Sequence, residues 1–243
     1  MLYIQLLPTS WKTNVMKNYC TILFIGIGVL LIGCKEKSKE IKTAEKKVEF
    51  NQELANELQK MVEIDQVAAY IPQGKYKELT EEEWNKFKDS VFTSHEKRLQ
   101  EIFNQNGFAG YDLAGEEGSK NFWLMVQHSD HNPTFQKQVL EKMKIEVDRK
   151  NAKPSNYWLL VDRVNLNTGK AQIYGTQVRY NMNTGQAYPK KLEDSINVNK
   201  RRKSIGLEPI ETYLNSMSEM HFEMNKDNYM KKGISEPKLY KTE

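Results

Sequence analysis

The residues around Thr80 define the start of a helix. Thr80 and Glu83 have the spacing of a capping box, in which each side chain accepts a hydrogen bond from the other residue's backbone N–H. Leu79 and Trp84 stand at the N′ and N4 positions, where two apolar side chains form a hydrophobic staple. Apolar residues then recur at helical spacing until Asn106-Gly107, a typical helix end: Phe87, Val91, Leu99 and Ile102. We therefore predict a long helix that begins at Thr80.

Further segments have the periodicity or the end signals of helices. Residues 50–69 carry apolar side chains three and four apart, which predicts an amphipathic helix. Residues 119–127 are too apolar all round for a surface helix and predict a buried central one. Asn132-Pro133 supplies a cap and an N1 proline for the next helix, with Phe135, Val139, Met143 and Val147 on one row. A basic helix marked by Ile196, Val198 and Ile205 is predicted to end at Gly206, and Pro209 to start another.

Two segments are predicted to be non-helical. Residues 107–118 contain four glycines and predict a turn-rich loop, although neither glycine-rich phosphate-binding motif is present. Residues 157–188 are rich in β-branched and aromatic side chains and contain two Asn-Thr-Gly turns, which predicts a small antiparallel meander. Leu159–Val164 is either its first strand or the end of a helix. The predicted fold class is α+β, predominantly α-helical with one small antiparallel β-meander.

The N-terminal part of the chain has the features of a lipoprotein signal peptide. Lys17 precedes the apolar run Ile22–Ile32, and the small residue Gly33 precedes Cys34, the order found in signal peptides. Leu31-Ile32-Gly33-Cys34 resembles the lipobox of bacterial lipoprotein precursors. That resemblance implies cleavage before Cys34 and a diacylglycerol on its thiol. It also implies that a fatty acid such as palmitate acylates the new amino end.

This anchor predicts how the chain is organised. The apolar run is shorter than the roughly 20 residues that a spanning helix needs. We expect a signal peptide at 1–33 with Met16 as the better start, a polar tether at 34–49, one globular domain at 50–222 and a loosely ordered tail at 223–243. Lys35 after the cysteine is the pattern of lipoproteins sorted to the outer membrane of Gram-negative bacteria, facing the periplasm or the surface. The lipid bilayer is the predicted partner of Cys34.

Composition excludes several classes of site in the folded domain. Both cysteines, Cys20 and Cys34, lie in the first 34 residues and precede the globular domain, so a disulfide, a thiol nucleophile and a cysteine–zinc site are excluded there. Removal of residues 1–33 takes away Lys12 and Lys17 and no acidic residue, so the net charge falls from +4 to +2. A charge so balanced gives no support for nucleic-acid binding, which calls for a basic stripe or domain.

The string Gln127-His128-Ser129-Asp130-His131 follows the predicted buried helix. Polar groups at such a place are either satisfied by hydrogen bonds or functional. His128 and His131 are three residues apart, which suits two metal ligands or a base and its partner, but the HExxH zinc motif is absent and we predict no metal site. In the structural alternative, His128 is a buried hydrogen-bonded histidine, and Asp130 or Asn132 caps the following helix.

Two further polar clusters follow. Asp162-Arg163 precedes the segment from Gln172 to Gln177, and neighbouring residues of a strand would face opposite sides of the sheet. We expect this cluster to be either a functional site or a network of amide and guanidinium groups that holds a loop in place. The other cluster consists of Asn199, Arg201 and Arg202. We expect it either to bind an anion or to form the solvated face of a basic helix.

Taken together, the polar motifs resemble the domain-of-unknown-function 6624 family of bacteria. The matching positions are Asp65-Gln66, Gln127-His128-Ser129-Asp130, Gln136, Asp162-Arg163, Gly169-Lys170 with Gln172, Tyr174-Gly175-Thr176-Gln177, Asn199 with Arg202, Gly206-Leu207 and Tyr213. The family commonly has an arginine where this chain has Ala69. The resemblance implies no particular activity and no particular cofactor. Because its motifs are polar rather than apolar, it favours a polar pocket, whose candidate ligand-binding residues are Gln127, Gln136, Arg163, Gln172, Tyr174, Thr176, Gln177 and Arg202.

Three functions are compatible with these residues. The first is an envelope module that binds a polar ligand or an envelope partner in this pocket. The second is an envelope hydrolase or transferase with His128 as general acid or base. In that case Asp130 or Asp162 orients His128, and Arg163 or Arg202 holds an anionic group. In the third, the polar motifs only stabilise the fold.

Overall fold

The computed structural model describes residues 48–242. The predicted signal peptide, Cys34 and most of the tether lie outside the described residues. Within them the chain forms eight α-helices and one two-stranded antiparallel sheet. The prediction of a mostly helical α+β fold with a small antiparallel sheet is therefore confirmed.

The first two helices follow the predicted boundaries. α1 spans Gln52–Ala69 and is capped by Asn51, whose side chain accepts from the backbone N–H of Leu54. After a short 3-10 helix at Gly74–Glu78, α2 spans Glu81–Asn106. Both hydrogen bonds of the predicted capping box at Thr80 are present, and α2 ends at Gly107 with a positive φ of 75°.

The prediction of a glycine-rich loop after α2 is wrong for most of that segment. α3 spans Tyr111–Val126 and is non-helical only at Gly115, whose φ of 72° and ψ of 173° kink it. Residues 118, 119 and 121–126 are buried, as predicted for a central helix. Gly118 is a helical residue, and an added Cβ there would lie 2.9 Å from Cβ of Ala114 in the same helix and 3.8 Å from that of Ala55 in α1.

The first predicted strand is a helix, the alternative that the sequence left open. α4 spans Pro133–Asp148, with the Asn132 cap and the N1 proline as predicted. α5 spans Pro154–Asn167 and also begins with a proline. Its buried residues Leu159, Leu160 and Val164 belong to the same core as the buried face of α4. Leu159–Val164 therefore packs as a helix face, although it lies in a segment, residues 157–188, whose β-branched and aromatic side chains favour strands.

The sheet has two short strands instead of a longer meander. β1 spans Val178–Tyr180 and β2 spans Ala187–Pro189, with Arg179 opposite Tyr188. Asn183-Thr184-Gly185 lies in the connection, as predicted, and Gly185 donates a backbone hydrogen bond to Asn181. The other predicted turn, Asn167-Thr168-Gly169, ends α5 instead.

The remaining helices surround the sheet. α6 spans Val198–Ser204, α7 spans Ile210–Met224 and α8 spans Lys226–Met230. The basic helix and the helix after Pro209 are therefore where they were predicted. The segment after Glu223 is not the loose tail that its polarity suggested. Tyr229 is buried, and the Tyr240 hydroxyl donates to the backbone oxygen of Ala187.

The buried apolar side chains form two clusters. The larger one is built by α1 to α5 and includes Leu58, Leu99, Phe122, Val139 and Leu160. The smaller one joins β2 and α6 to α7. None of the helices between residues 48 and 242 combines the length and apolar character that crossing a membrane requires.

Candidate functional site

His128 lies just after α3 and bonds to a carboxylate of α1. Its Nδ1 is 2.8 Å from Oδ1 of Asp65, which stands 63 residues earlier in the chain. The Asp65 side chain is fully buried and that of His128 is 2% exposed. Because an ionised carboxylate only accepts hydrogen bonds, Nδ1 of His128 carries the proton, and Nε2 is free to act as a base or, once protonated, as a donor.

A second histidine, His95 of α2, also faces Asp65. Its Nδ1 lies 3.7 Å from the same oxygen, and its side chain is 12% exposed. Gln66 donates to the other Asp65 oxygen at 3.0 Å. Burial alone would raise the pKa of Asp65, but the charge of His128 and the hydrogen bonds around the carboxylate outweigh it and hold this pKa below its ordinary value. Asp65 is therefore an ionised carboxylate between two imidazoles.

Three buried polar atoms, on the two histidines and on the residue after His128, have no hydrogen-bond partner in the described part of the chain. They are Nε2 of His128, Oγ of Ser129 and Nδ1 of His95. Phe92 of α2 packs its ring edge-on to His128, with 5.1 Å between the ring centroids. A buried polar group without a partner costs free energy, so such atoms mark a place where a ligand could be stabilised. We call Asp65, Phe92, His95, His128 and Ser129 the histidine–aspartate site.

The neighbouring residues His131 and Asn132 fasten the turn after α3 to α2. Nε2 of His131 contacts Oε2 of Glu96, and Asn132 donates to Oε1 of Glu96 at 2.7 Å. The Asn132 side chain also caps α4 by accepting from the N–H of Phe135. These contacts assign a structural role to both residues.

Asp130 does not orient His128. It forms a two-point ion pair with Arg163 at 2.7 and 2.9 Å, and Asn167 and Gln136 donate to the same carboxylate. Burial raises the pKa of Asp130, but the Arg163 charge and these hydrogen bonds outweigh it, so the pKa is lowered. Arg163 also donates to Gln177 at 3.1 Å. The prediction that Asp130 assists His128 is wrong because this carboxylate is occupied by Arg163.

Asp162 holds a loop and does not face His128 either. Its two oxygens accept from the backbone N–H groups of Ile173, Tyr174 and Thr176 and from the Thr176 hydroxyl, at 2.7 to 3.2 Å. Burial raises the pKa of Asp162, against the lowering effect of these hydrogen bonds. Asp162 and Arg163 are consecutive residues of α5, and their side chains contact different neighbours.

Most of the other predicted binding residues brace the same loop. Gln172 donates to the carbonyls of Gln177 and Lys190 and accepts from the N–H of Gln177. In this loop Gly175 has a φ of 72°, and an added Cβ would lie 2.5 Å from Ile210. Tyr174 packs its ring against Trp158, with centroids 5.3 Å apart. We call residues 172–177 the braced loop.

The arginines of α6 complete this network. Arg202 is buried, donates to the carbonyls of Glu208 and Tyr174, and lies over the Tyr213 ring at 4.8 Å. Arg201 donates to the carbonyls of Ile173, Glu193 and Asp194, while Asn199 accepts from the N–H of Ile210. The guanidinium groups are thus engaged with backbone oxygens instead of holding an anion.

The predicted site residues therefore separate into three groups. His128 belongs to the histidine–aspartate site. The second group lies around Asp130 and consists of Gln136, Arg163 and Gln177. The third group holds or forms the braced loop together with Asp162 and consists of Gln172, Tyr174, Thr176 and Arg202. Gln127 contributes its carbonyl, which accepts from Gln136 at 3.3 Å. Within residues 48–242 no group of three or more His, Cys, Asp or Glu side chains is arranged to hold a metal ion.

Two surface clefts of about 560 and 250 Å³ lie along α6 and α7. They share Asn199 and Glu211 as lining residues, and Ile196 at the rim of the smaller one is 92% exposed. Neither cleft is lined by a member of the histidine–aspartate site.

Sequence reasoning missed the roles of Asp65 and His95, although each left a signal. Asp65 stands three residues after Val62 and seven after Leu58, on the apolar face of α1. His95 stands midway between Val91 and Leu99 on the apolar face of α2. A polar residue in the middle of an apolar stripe must find a buried partner, and these two meet across the α1–α2 interface.

A comparison with protein families matches residues 52–224 to a model described as Family of unknown function (DUF6624). The chain belongs to this family. The matched range runs from the start of α1 to the end of α7 and thus contains the histidine–aspartate site and the braced loop. Comparisons with curated proteins and with solved structures found no significant match.

Proposed function

We propose that this DUF6624 protein is a lipid-anchored cell-envelope hydrolase or transferase that uses His128 as its general acid and base. The observation that carries the proposal is the state of the imidazole. Its Nδ1 is hydrogen-bonded to the buried carboxylate of Asp65, and its Nε2 has no hydrogen-bond partner among residues 48–242. The orienting carboxylate is thus Asp65 instead of Asp130 or Asp162.

This arrangement suits proton transfer. The Asp65 carboxylate fixes the tautomer in which Nε2 has the lone pair, and it stabilises the imidazolium that forms when Nε2 takes up a proton. A positioned histidine of this kind contributes typically about 10² to 10⁴-fold to a rate. The nucleophile in this proposal is a water molecule or a substrate hydroxyl that Nε2 deprotonates.

Access to Nε2 passes Phe92 in this proposal. The His128 side chain is almost completely buried and the Phe92 ring lies against it, whereas Phe92 itself is partly exposed. Rotation of one aromatic side chain is therefore the smallest change that would bring a substrate to the imidazole.

The anchor is the second part of the proposal. It is supported by the lipobox at Leu31-Ile32-Gly33-Cys34 and by the charged segment that follows. One acyl chain binds a membrane only marginally, whereas two or three give a stable attachment. Metabolic labelling with a radioactive fatty acid tests it: the wild-type protein should incorporate the label and Cys34→Ser should not. Persistent label in Cys34→Ser would show that this residue is not the acceptor.

The catalytic part is tested with three probe substrates, p-nitrophenyl acetate, bis(p-nitrophenyl) phosphate and p-nitrophenyl N-acetyl-β-glucosaminide. We expect His128→Gln and Asp65→Asn to lower the hydrolysis rate by about 10² to 10⁴-fold. His131→Gln is the matched control, because His131 lies in the same string but is bonded to Glu96. Full hydrolysis by a folded His128→Gln protein would contradict the proposal.

A polar ligand-binding site without catalysis is the second candidate. It is supported by the two buried atoms that have no hydrogen-bond partner within residues 48–242, Nε2 of His128 and Oγ of the next residue, Ser129, since a polar ligand supplies such partners. Under this alternative the wild-type protein hydrolyses none of the three probes. His128→Gln then weakens ligand binding only by the worth of one hydrogen bond, about 0.5 to 1.5 kcal/mol.

A further inference from the structure

The two-stranded sheet has one buried and one exposed face. Successive residues of a strand point to opposite sides of a sheet. Val178 and Tyr180 pack against the smaller apolar cluster, which contains Ala187, so theirs is the buried face. Arg179 and Tyr188 stand opposite each other in the register and are both exposed. They therefore lie on the other face of the sheet.

The register places two further side chains on this exposed face. The backbone N–H of Lys190 donates to the carbonyl of Gln177 at 2.9 Å, one step beyond the last pair of the two strands. Gln177 stands two residues before Arg179, and Lys190 two residues after Tyr188, so each shares the face of its neighbour. Arg179 and Lys190 are diagonal neighbours, with Cβ atoms about 7 to 8 Å apart, a distance that long side chains can bridge. We call Gln177, Arg179, Tyr188 and Lys190 the basic sheet face.

Arg163 of α5 adds a third positive charge beside Gln177. Its Nη1 donates to Oε1 of Gln177 at 3.1 Å, and its Nε and Nη2 donate to Asp130 at 2.7 and 2.9 Å. Burial lowers the pKa of Lys190, and the positive charge of Arg163 lowers it further and outweighs the carboxylate of Asp130. The charge of Arg179 acts in the same direction as that of Arg163. Three positive charges and one negative charge therefore meet here, with a sum of +2.

The one carboxylate among these charges is already occupied. Asp130 accepts from Arg163, Asn167 and Gln136. Within residues 48–242 neither Lys190 nor Arg179 forms an ion pair. A partly buried ammonium group beside other cations is stabilised when an anion binds to it. The basic sheet face thus has positive charge that a ligand can neutralise.

We propose that the basic sheet face binds a phosphate monoester. Such a group carries about −1.5 to −2 charges at pH 7, which matches the sum of +2, whereas one carboxylate would leave positive charge uncompensated. Arg179 has the planar fork of donors that binds two phosphate oxygens, and Lys190 adds a compact positive charge. The ring of Tyr188, 42% exposed, offers an apolar surface to the group that carries the phosphate. Nε2 of His128 takes no part, so the proposal does not depend on proton transfer.

Acetylation of lysine side chains, measured at each lysine by mass spectrometry, tests the proposal in the full chain. The first probe is inorganic phosphate at constant ionic strength, adjusted with sodium chloride. Phosphate at about ten times its dissociation constant should slow the acetylation of Lys190 about tenfold by mass action. Lys203 is the control within the same sample, because it lines the larger cleft at α6 and does not belong to the basic sheet face.

Two results would overturn the proposal. One is a Lys190 that phosphate does not protect up to about 0.1 M, where the screening length has fallen to about 10 Å. The other is equal protection of Lys190 and Lys203, which would show general attraction of phosphate to basic side chains.

Arg179→Gln tests the geometry of the site. Since the side chain of Arg179 is exposed, its replacement should leave the fold intact. It should raise the phosphate concentration that half-protects Lys190 by about tenfold or more, the effect of losing one hydrogen bond to a charged group. Lys203→Gln removes the same charge elsewhere and should leave that concentration unchanged. Equal effects of the two variants contradict the proposal, and the wild-type measurement decides alone if Arg179→Gln does not fold.

Two further probes distinguish the sources of a phosphate monoester. Glycerol 3-phosphate represents a soluble ligand, and phosphatidylcholine vesicles with phosphatidic acid, compared with vesicles without it, represent a lipid headgroup. Protection of Lys190 by either probe supports the proposal and identifies the source. Protection by neither overturns it. These outcomes are distinct from failure of the proposed function, which is decided by the hydrolysis rate of His128→Gln.

Discussion

Asp162→Asn separates a structural from a catalytic role for this carboxylate. The two Asp162 oxygens accept from three backbone N–H groups and one hydroxyl of the braced loop. An amide nitrogen cannot accept, so at least one of these backbone N–H groups loses its acceptor whichever way the Asn side chain is turned. A buried donor without an acceptor costs about 1 to 3 kcal/mol, and each bond to a charged group contributes about 1.5 to 3 kcal/mol.

One effect acts in the opposite direction. Burial raises the pKa of Asp162, so the ionised carboxyl has a desolvation cost that a neutral amide would recover. The nearby buried guanidinium of Arg202 interacts favourably with that charge and limits the recovery. We therefore expect Asp162→Asn to lower the free energy of unfolding by about 2 to 4 kcal/mol, between one and two lost charged hydrogen bonds.

Urea unfolding at pH 7 measures this change. Asp148→Asn is the control, since Asp148 is an exposed carboxylate paired with Lys144 and should change stability by less than about 0.5 kcal/mol. In Asp162→Asn the amides of Ile173, Tyr174 and Thr176 should also exchange with solvent faster. Stability within about 1 kcal/mol of wild type, with unchanged exchange at those amides, would refute the structural reasoning.

Three further predictions concern stability. Gly175→Ala should lower the free energy of unfolding in urea by about 1 to 3 kcal/mol, because the added Cβ would meet Ile210. The loss should be larger than for Gly169→Ala, since Gly169 has a similar positive φ but open space around it. Equal losses for the two variants would show that only φ matters. Thr80→Ala should cost about 1 kcal/mol through loss of the α2 cap, measured in the same way. Burial lowers the pKa of His221 to about 4 in the folded protein, so as the pH drops the unfolded chain takes up a proton before the folded protein does. The free energy of unfolding should therefore fall between about pH 6.5 and 4. His221→Gln should reduce this dependence on pH.

The helix boundaries were predictable where their chemistry is local. The Thr80 capping box, the Asn132 cap before Pro133 and the glycine at 107 each involve residues within four positions of the boundary. Such signals act through the backbone groups at a helix end, and distant parts of the chain do not alter them. These are the predictions that the structure confirms.

Predictions failed where tertiary packing decides between local alternatives. Leu159–Val164 lies in a segment of strand-like composition, but its buried side chains pack in one core with Val139 and Met143 of α4, so it forms a helix. Gly118 has a low helix propensity, yet it lies within α3, at a position where an added Cβ would come within 2.9 Å of Cβ of Ala114. In both cases the energy of packing exceeds a propensity difference of about 1 kcal/mol or less.

The candidate site could be predicted only in part, because its partners are distant in the chain. His128 was singled out by its position after a buried helix, but its carboxylate lies 63 residues away on α1. Asp130 and Asp162 are nearer in the sequence and look equally suitable as partners of His128. Their actual partners, Arg163 for Asp130 and the braced loop for Asp162, also depend on how α5 packs.

Two buried aspartates, Asp65 and Asp162, and the partly exposed Asp130 look alike in sequence but have different partners in the structure. Asp162 is held by backbone N–H groups and Asp130 by a guanidinium, and neither kind of partner takes up or releases a proton near neutral pH. Asp65 is held by imidazoles, and an imidazole that gives one nitrogen to a carboxylate keeps a second nitrogen for another proton. That second nitrogen of His128 is buried and has no hydrogen-bond partner among residues 48–242, and this is the observation that distinguishes Asp65 from the other two aspartates as the basis of the proposed proton transfer.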